Sequence, residues 1–407
     1  MCTASLLGGL VSRRVVSFSG FGTTLLAADR DMTVDTKGQH ALAAAGDVGL
    51  EAARRTAAAL AESASVGPFD FSVRGTNAKL EAAVDAAFAE TDEDNLKRTR
   101  AMIVLDRAGR VLAERYAEKD GFSAETVQHG WSMTKSVLAT LIGMRVLDGK
   151  MSLESKPLFP EWADDERRDI TLRDLLTMTS GLEFNEVYGV VPQDATRMLF
   201  LGDDVAEFAK HKPLEHPVGS KMAYSSGTTN LLSELLRQTF DSDADYWAYP
   251  AERLFAPLGM SSAVMEVDPK GTFIGSSFSY ATPLDWARYG MLFLQNGHAP
   301  DGTQLLPDGW VDFTRTPTIA SQLLNSEQEP EDKTWTYGGQ WWTNSQPMAE
   351  NGRVFSSLPA DAFCAHGYQH QVVMVVPSAD VVIVRLGLTF DRKWDLEEAF
   401  DSIITAL

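Results

Sequence analysis

The run from Val137 to Leu147 constrains the fold more than any other stretch of the chain. Val-Leu-Ala-Thr-Leu-Ile-Gly-Met-Arg-Val-Leu is apolar on nearly every face, and a helix with no polar stripe has to lie inside the molecule. The rest of the chain must pack around it. Immediately before it comes His129-Gly130-Trp131-Ser132-Met133-Thr134-Lys135-Ser136, which puts a lysine where the buried helix begins. Residues three apart share a helix face, so Ser132 and Lys135 point the same way. A lysine in that place has a partner or a depressed pKa, because desolvation disfavours the ammonium form. An amine that loses its proton near neutral pH can activate a neighbouring hydroxyl. The free N–H groups and positive dipole end of a helix N-terminus lie beside that hydroxyl. The same residues also fit an ordinary capping serine and a lysine that snorkels to water. Ser-x-x-Lys alone does not choose between the two.

Composition removes several function classes. The chain has 407 residues and a formal net charge of −20, which argues against a nucleic-acid backbone as partner, since that needs a basic face. It also disfavours an anionic membrane surface. No apolar run reaches the ~18 residues that a membrane span requires. The two cysteines, Cys2 and Cys364, stand at opposite ends of the chain, which is neither a disulfide framework nor a zinc pattern. Arg13-Arg14 followed by Val15 to Ala28 loosely resembles an export signal. Its apolar part is diluted by Ser, Gly and Thr, so a disordered leader and a cytoplasmic location are favoured over export.

Taken in order, residues 1–75 read as a peripheral leader with one alanine-rich helix, Gly49 to Ala64, ended by Gly67-Pro68. Asn77 can cap a second helix with Leu80, Val84, Ala87 and Phe88 on one face, closed by the polar run Thr91 to Asn95. Ala101–Leu105 and Arg110–Tyr116 flank Asp106-Arg107-Ala108-Gly109 as a hairpin. A matching pair, Gln371–Val376 and Val381–Leu386, flanks Pro377-Ser378-Ala379-Asp380, and Asp395 can cap a last helix to Leu407. Strand pairs at both ends with helices between predict an α+β fold. One antiparallel sheet is built from the N- and C-terminal strands (76–150 and 290–407), with a mostly helical inserted domain (151–289) and the active site between the two. Within the insert, Thr171 can cap a helix from Leu172 to Met178. Ala223-Tyr224-Ser225-Ser226 enters an apolar helix, and Thr282 can cap another with Pro283 in its first position.

Set in order, these motifs resemble those of the serine β-lactamase and penicillin-binding superfamily, for which Ser-x-x-Lys is the first signature. Trp131-Ser132-Met133-Thr134-Lys135-Ser136 is similar to that first motif. Leu175–Leu182 is similar to the segment that follows it. Tyr224-Ser225-Ser226 stands where the class C-like branch has Tyr-x-Asn, and Ala365-His366-Gly367 stands where it has Lys-Thr-Gly. Within the superfamily, the Tyr-Ser-Ser-Gly and Asp-Trp-Ala-Arg runs look most like family VIII carboxylesterases and 6-aminohexanoate-dimer hydrolases. The resemblance implies a cofactor-free enzyme with Ser132 as acylated nucleophile. Lys135 and Tyr224 would share its proton, in an order left open because coupled groups titrate as a pair. The backbone N–H groups of Ser132 and Tyr368 would form the oxyanion hole, and Tyr188 resembles the lid tyrosine of the aminohexanoate hydrolases. Trp131, Tyr188, Ser226, His366, Gly367 and His370 are the candidate substrate contacts.

Two departures bear on substrate. Ser226 replaces the Asn that binds a β-lactam side-chain amide, and Ala365 replaces the Lys that binds its carboxylate. The acyl-transfer set is intact and the antibiotic-recognition set is not, so short carboxylic esters or small linear amides are favoured. A β-lactamase or D-alanyl-D-alanine carboxypeptidase is the rival within the class. A non-catalytic binder of peptides or cell-wall fragments is the rival outside it. His211 and His216 are five apart around Pro213, a poor metal pair, and no metal is expected. Cys364 reads as a small core residue. Trp335, Trp341 and Trp342 read as an acyl pocket or as core. The partner is a small molecule; oligomeric state is not legible.

Overall fold

The computed structural model describes residues 46–62, 71, 73–75, 77–92, 96–188, 191–326, 335–389 and 395–407. The leader with its export-like stretch, the Gly67-Pro68 stop and part of the Thr91–Asn95 run lie outside the described residues.

Caps and turns set the local structure much as their chemistry dictates. Helix α1 (Gly46–Glu62) is the alanine-rich segment, and α2 (Ala78–Phe88) follows Asn77, whose side chain accepts from the N–H groups of Lys79 and Leu80. Strands β1 (Thr99–Asp106) and β2 (Val111–Tyr116) form the first hairpin, closed by Gly109 N–H on the Asp106 carbonyl. Short β3 (Gln128–His129) leads into α3 (Met133–Leu147), the central apolar helix, whose residues from Met133 to Met144 are all buried. Then come α4 (Leu172–Leu176), α5 (Asp194–Phe200), α6 (Val205–Lys210), α7 (Ser226–Arg237), α8 (Asp243–Pro250) and α9 (Ala256–Leu258). They are followed by β4 (Val264–Met265), β5 (Ser279–Ala281), α10 (Pro283–Leu294), α11 (Trp310–Arg315) and α12 (Ile319–Ser326). The chain closes with β6 (Thr336–Tyr337), β7 (Trp342–Thr343), β8 (Phe363–Gly367), β9 (Gln371–Val376), β10 (Val381–Gly387) and α13 (Leu396–Thr405), capped by Asp395.

The two ends of the chain meet in one antiparallel sheet of order β2-β1-β10-β9-β8-β7-β6. The joint is the β1–β10 pairing, with Ile103 opposite Val384 and Asp106 opposite Val381. Strand alternation sends Met102 and Val104 to a core shared with α2 and α13, and Ile103 and Leu105 to the larger core around α3 and α10. Between β2 and β6 the described elements are mostly helices, and β3, β5 and β4 make a small second sheet. Helix α4 ends at Leu176 rather than Met178, because Met178 takes a left-handed φ of 59°, which no helix accommodates.

Helix α10 lies on the large sheet at a glycine. A Cβ on Gly290 would sit 2.5 Å from a Val382 methyl and 2.8 Å from one of Val373. Gly290→Val should therefore lower stability by about 1–3 kcal/mol through overpacking, read as a fall in the urea midpoint at unchanged slope.

Candidate active site

The approach to Ser132 is braced before the helix begins. Gly130 donates its N–H to the Ser279 carbonyl at 2.8 Å, and a Cβ there would strike the Trp286 ring at 2.5 Å. Trp131 is held at φ 49°, a strained setting for a bulky residue. The His129 ring stacks on Trp131 at 4.0 Å and on Tyr280 at 4.6 Å. Its Nε2 lies 2.7 Å from the Ser277 carbonyl, so that nitrogen carries the hydrogen. Burial lowers the His129 pKa to about 3; the ring is a neutral brace at ordinary pH. Ser132 is the N-cap residue of α3, yet its side chain makes no capping bond. Its hydroxyl is turned elsewhere.

It is turned to Lys135 and Tyr224. Lys135 is fully buried, so it does not snorkel. Its Nζ donates to Ser132 Oγ at 3.2 Å, to Ser226 Oγ at 3.0 Å and to the Ser276 carbonyl at 2.9 Å. The three donors of the ammonium are thus used on neutral acceptors. Desolvation lowers its pKa to about 8, against an opposing pull from Glu186. Tyr224 sits just before α7, where the Ser225 side chain caps the helix by accepting from Thr228 N–H. Its phenol faces the Ser132 side chain. Its ring lies 4.7 Å from Lys135 Nζ and stacks on Trp342 at 5.1 Å. Burial, and then the Glu186 charge, push the phenol's pKa far up. Of the two groups on the Ser132 oxygen, the amine is the one able to lose a proton near neutrality.

Strand β8 brings the third wall. Gly367 passes so close to the Gly130 carbonyl that a Cβ would lie 2.2 Å from that oxygen. This sets the backbone of Tyr368 beside the turn that leads into Ser132, with the Tyr368 ring edge-on to Trp131 at 5.5 Å. The turn from β8 to β9 carries two consecutive left-handed residues, Gln369 at 62° and His370 at 60°. Arg385 in β10, fully buried, donates to their carbonyls at 3.1 and 2.9 Å. The Gln371 amide donates to the Tyr368 carbonyl at 3.1 Å. His366 and His370 stack on each other at 5.4 Å.

The loop before α5 closes the site. Tyr188 stacks on Tyr368 at 6.0 Å, and its hydroxyl donates to Glu186 at 3.2 Å. Ser226 donates to the same carboxylate twice, from its N–H at 2.7 Å and from its hydroxyl at 2.6 Å. Ser226 is therefore engaged with Lys135 and Glu186 rather than turned outward. Glu186 is absent from the sequence-based candidates: nothing local separates it from its solvated neighbour Glu183. Ala365 is buried in β8. Cys364 faces the opposite core, with α2 and α13, its thiol pKa raised by burial. Trp341 is core, whereas Trp335 and Trp342 join Met222, Tyr224 and Leu324 around a cavity of about 320 Å³. His211 binds Glu207 and His216 lies against Lys221, on separate partners. Among the described residues no three His, Cys, Asp or Glu side chains are grouped to hold a metal ion.

A family model described as Beta-lactamase matches residues 84–405. Among solved structures, a provisionally named 6-aminohexanoate-dimer hydrolase from Bacillus anthracis is 20% identical, with a TM-score of 0.63 over 84% of this chain and 87% of that one. A penicillin-binding protein homologue from Caulobacter crescentus is 16% identical, TM-score 0.59, over 82% and 99%. A family VIII carboxylesterase is 13% identical, TM-score 0.57, over 82% and 98%. At these identities the likeness is one of fold. A search of curated protein sequences finds no match.

Because Lys135 is desolvated, its folded pKa lies below that of the unfolded chain. Below about pH 8 both states hold the proton and the cost of burying the ammonium is fully present; between 8 and 10.5 the unfolded state binds more protons, so stability rises with pH through that window. Lys135→Met should therefore stabilise the fold at pH 7 by roughly 1–3 kcal/mol, measured by denaturant unfolding.

Proposed function

Given that this chain belongs to the beta-lactamase family of serine-hydrolase fold, we propose that it hydrolyses short carboxylic esters or small linear amides through an acyl-enzyme. The observation that carries this reading is the Ser132 hydroxyl held between a desolvated amine and a neutral phenol. Ser132 is half-buried and open to a substrate. In its neutral form Lys135 takes the Ser132 proton as the oxygen attacks the carbonyl carbon. The Tyr224 phenol, neutral in the resting site, passes its proton to the leaving oxygen or nitrogen and regains one from the Lys135 ammonium. Ser132 N–H and Tyr368 N–H receive the oxyanion, an interaction typically worth ~3 kcal/mol per donor. In the second half the same pair takes a proton from water as it attacks the ester carbonyl of the acylated Ser132, and returns it to Ser132 Oγ as the acyl–oxygen bond breaks and the acid leaves.

The substrate class is supported by what stands in the recognition positions. Ala365 offers no cation for a β-lactam carboxylate, and Ser226 spends its hydroxyl on Lys135 and Glu186. The apolar cavity beside Tyr224 suits an alkyl or aryl group.

Ser132→Ala should abolish turnover of p-nitrophenyl esters and labelling by a fluorophosphonate; retained turnover ends this reading. Rapid nitrocefin hydrolysis in the same panel would move the assignment to a β-lactamase. Gly367→Ala must push β8 off the Gly130 carbonyl, and misplacement of this order typically costs ~10²-fold. It should lower kcat by about that factor with KM little changed.

A further inference from the structure

Glu186 is half-buried and its carboxylate is aimed into the catalytic cleft. It accepts from the Ser226 N–H at 2.7 Å, the Ser226 hydroxyl at 2.6 Å and the Tyr188 hydroxyl at 3.2 Å. Ser226 is buried in the first turn of α7, and its oxygen accepts in turn from Lys135 Nζ at 3.0 Å. A continuous chain therefore runs Ser132–Lys135–Ser226–Glu186, in which Lys135 donates to both serine oxygens and the Ser226 hydroxyl gives its hydrogen to Glu186. A hydroxyl whose hydrogen goes to a carboxylate is a stronger acceptor for an ammonium. We propose that Glu186 is a positioning residue of the catalytic machinery, which acts through the Ser226 hydroxyl to hold the Lys135 amine on Ser132 and to govern how readily that amine takes the nucleophile's proton.

The charges around the amine are simple. Burial withdraws Lys135 from the ammonium form, and Glu186 is the charged side chain that acts on it in the other direction. Tyr188, Tyr224 and Tyr337 also face the Glu186 charge, and burial keeps all three phenols neutral. The Ser276 carbonyl and the Tyr224 ring complete the cage. Two opposed effects thus leave Lys135 at about 8. The carboxylate favours the charged amine, so removing its charge must shift deprotonation to lower pH. Activity that requires the neutral amine then appears earlier on the pH axis. The carboxylate gives up some base at neutral pH in exchange for a fixed amine geometry.

This inference rests on the hydrolase reading above, and one measurement separates the two. The rate of Ser132 labelling by a fluorophosphonate is followed from pH 5.5 to 9.5 in wild type, Glu186→Gln and Glu186→Asp. The wild-type rate should rise with a midpoint near 8. In Glu186→Gln the midpoint should fall by roughly half a unit or more. The fraction of its own plateau reached at pH 6 then rises about threefold or more, while the plateau itself drops. Glu186→Asp, which keeps the charge, should hold the wild-type midpoint. An unmoved or raised midpoint in the Gln variant overturns the role of Glu186, as does an Asp variant that shifts as far as Gln. Should the Gln variant not fold, Ser226→Ala removes the bridging acceptor from within α7, and its midpoint must fall likewise. No labelling of wild type at any pH overturns the hydrolase reading, and this inference with it.

Discussion

An ammonium taken wholly out of water is the interaction on which the site depends. Lys135 lies in the first turn of a helix that has no solvent face, so its side chain cannot reach water without dismantling the core around α3. Its three donors meet two hydroxyls and a carbonyl, and the nearest carboxylate is held one hydroxyl away. A carboxylate in direct contact would lock the amine in its charged form. With none there, the amine would pay the full cost of burial. The arrangement sits between these limits and keeps the group able to change state near neutral pH. A fold that carries such a group gives up stability for reactivity.

The second dependence is backbone on backbone. Gly367 lies so close to the Gly130 carbonyl that it has no room for a methyl group, and the Trp286 ring leaves none at Gly130. The contact between Gly367 and the Gly130 carbonyl carries the register between the turn before α3 and the end of β8. Around it are two strained settings: Trp131 on one side, and the Gln369–His370 pair on the other. Each is over-determined by its surroundings. Trp131 is clamped by the neutral His129 ring, and the Gln369–His370 turn by the Arg385 guanidinium and the Gln371 amide. Strain concentrated at one place and fixed by neighbours is the usual mark of a preorganised site.

The sequence announces some of this and conceals the rest for definite reasons. Caps at Asn77, Thr171, Thr282 and Asp395 act within three residues, so their chemistry can be read locally. The two hairpins declare themselves by turn residues between apolar runs, and their union through β1 and β10 follows from neither end having a full sheet alone. Ser132 and Lys135 share a helix face by spacing. Tyr224 enters only by its order among motifs, since its contact with Ser132 spans ninety-odd residues of chain. Ser226 reads as a substrate contact, because its engagement depends on Glu186, forty residues earlier and on a loop with no periodicity. Arg385 looks like an interruption in an apolar strand, and only three-dimensional placement shows the five acceptors that surround it. Met178 breaks its helix early through a backbone angle that side-chain propensity does not encode.

The β1–β10 joint has a consequence for synthesis. Strand β1 is made early, and its inner residues from Ala101 to Leu105 are wholly enclosed in the finished molecule. Its partner on one side leaves the ribosome nearly three hundred residues later. Throughout that interval β1 and β2 present an open apolar edge, the kind that pairs with whatever strand is nearest. Arg385, which holds the β8–β9 turn, arrives later still, in β10. The turn that carries Ser132 is therefore made long before the strand end that comes to lie against it, and the two meet only when the sheet closes.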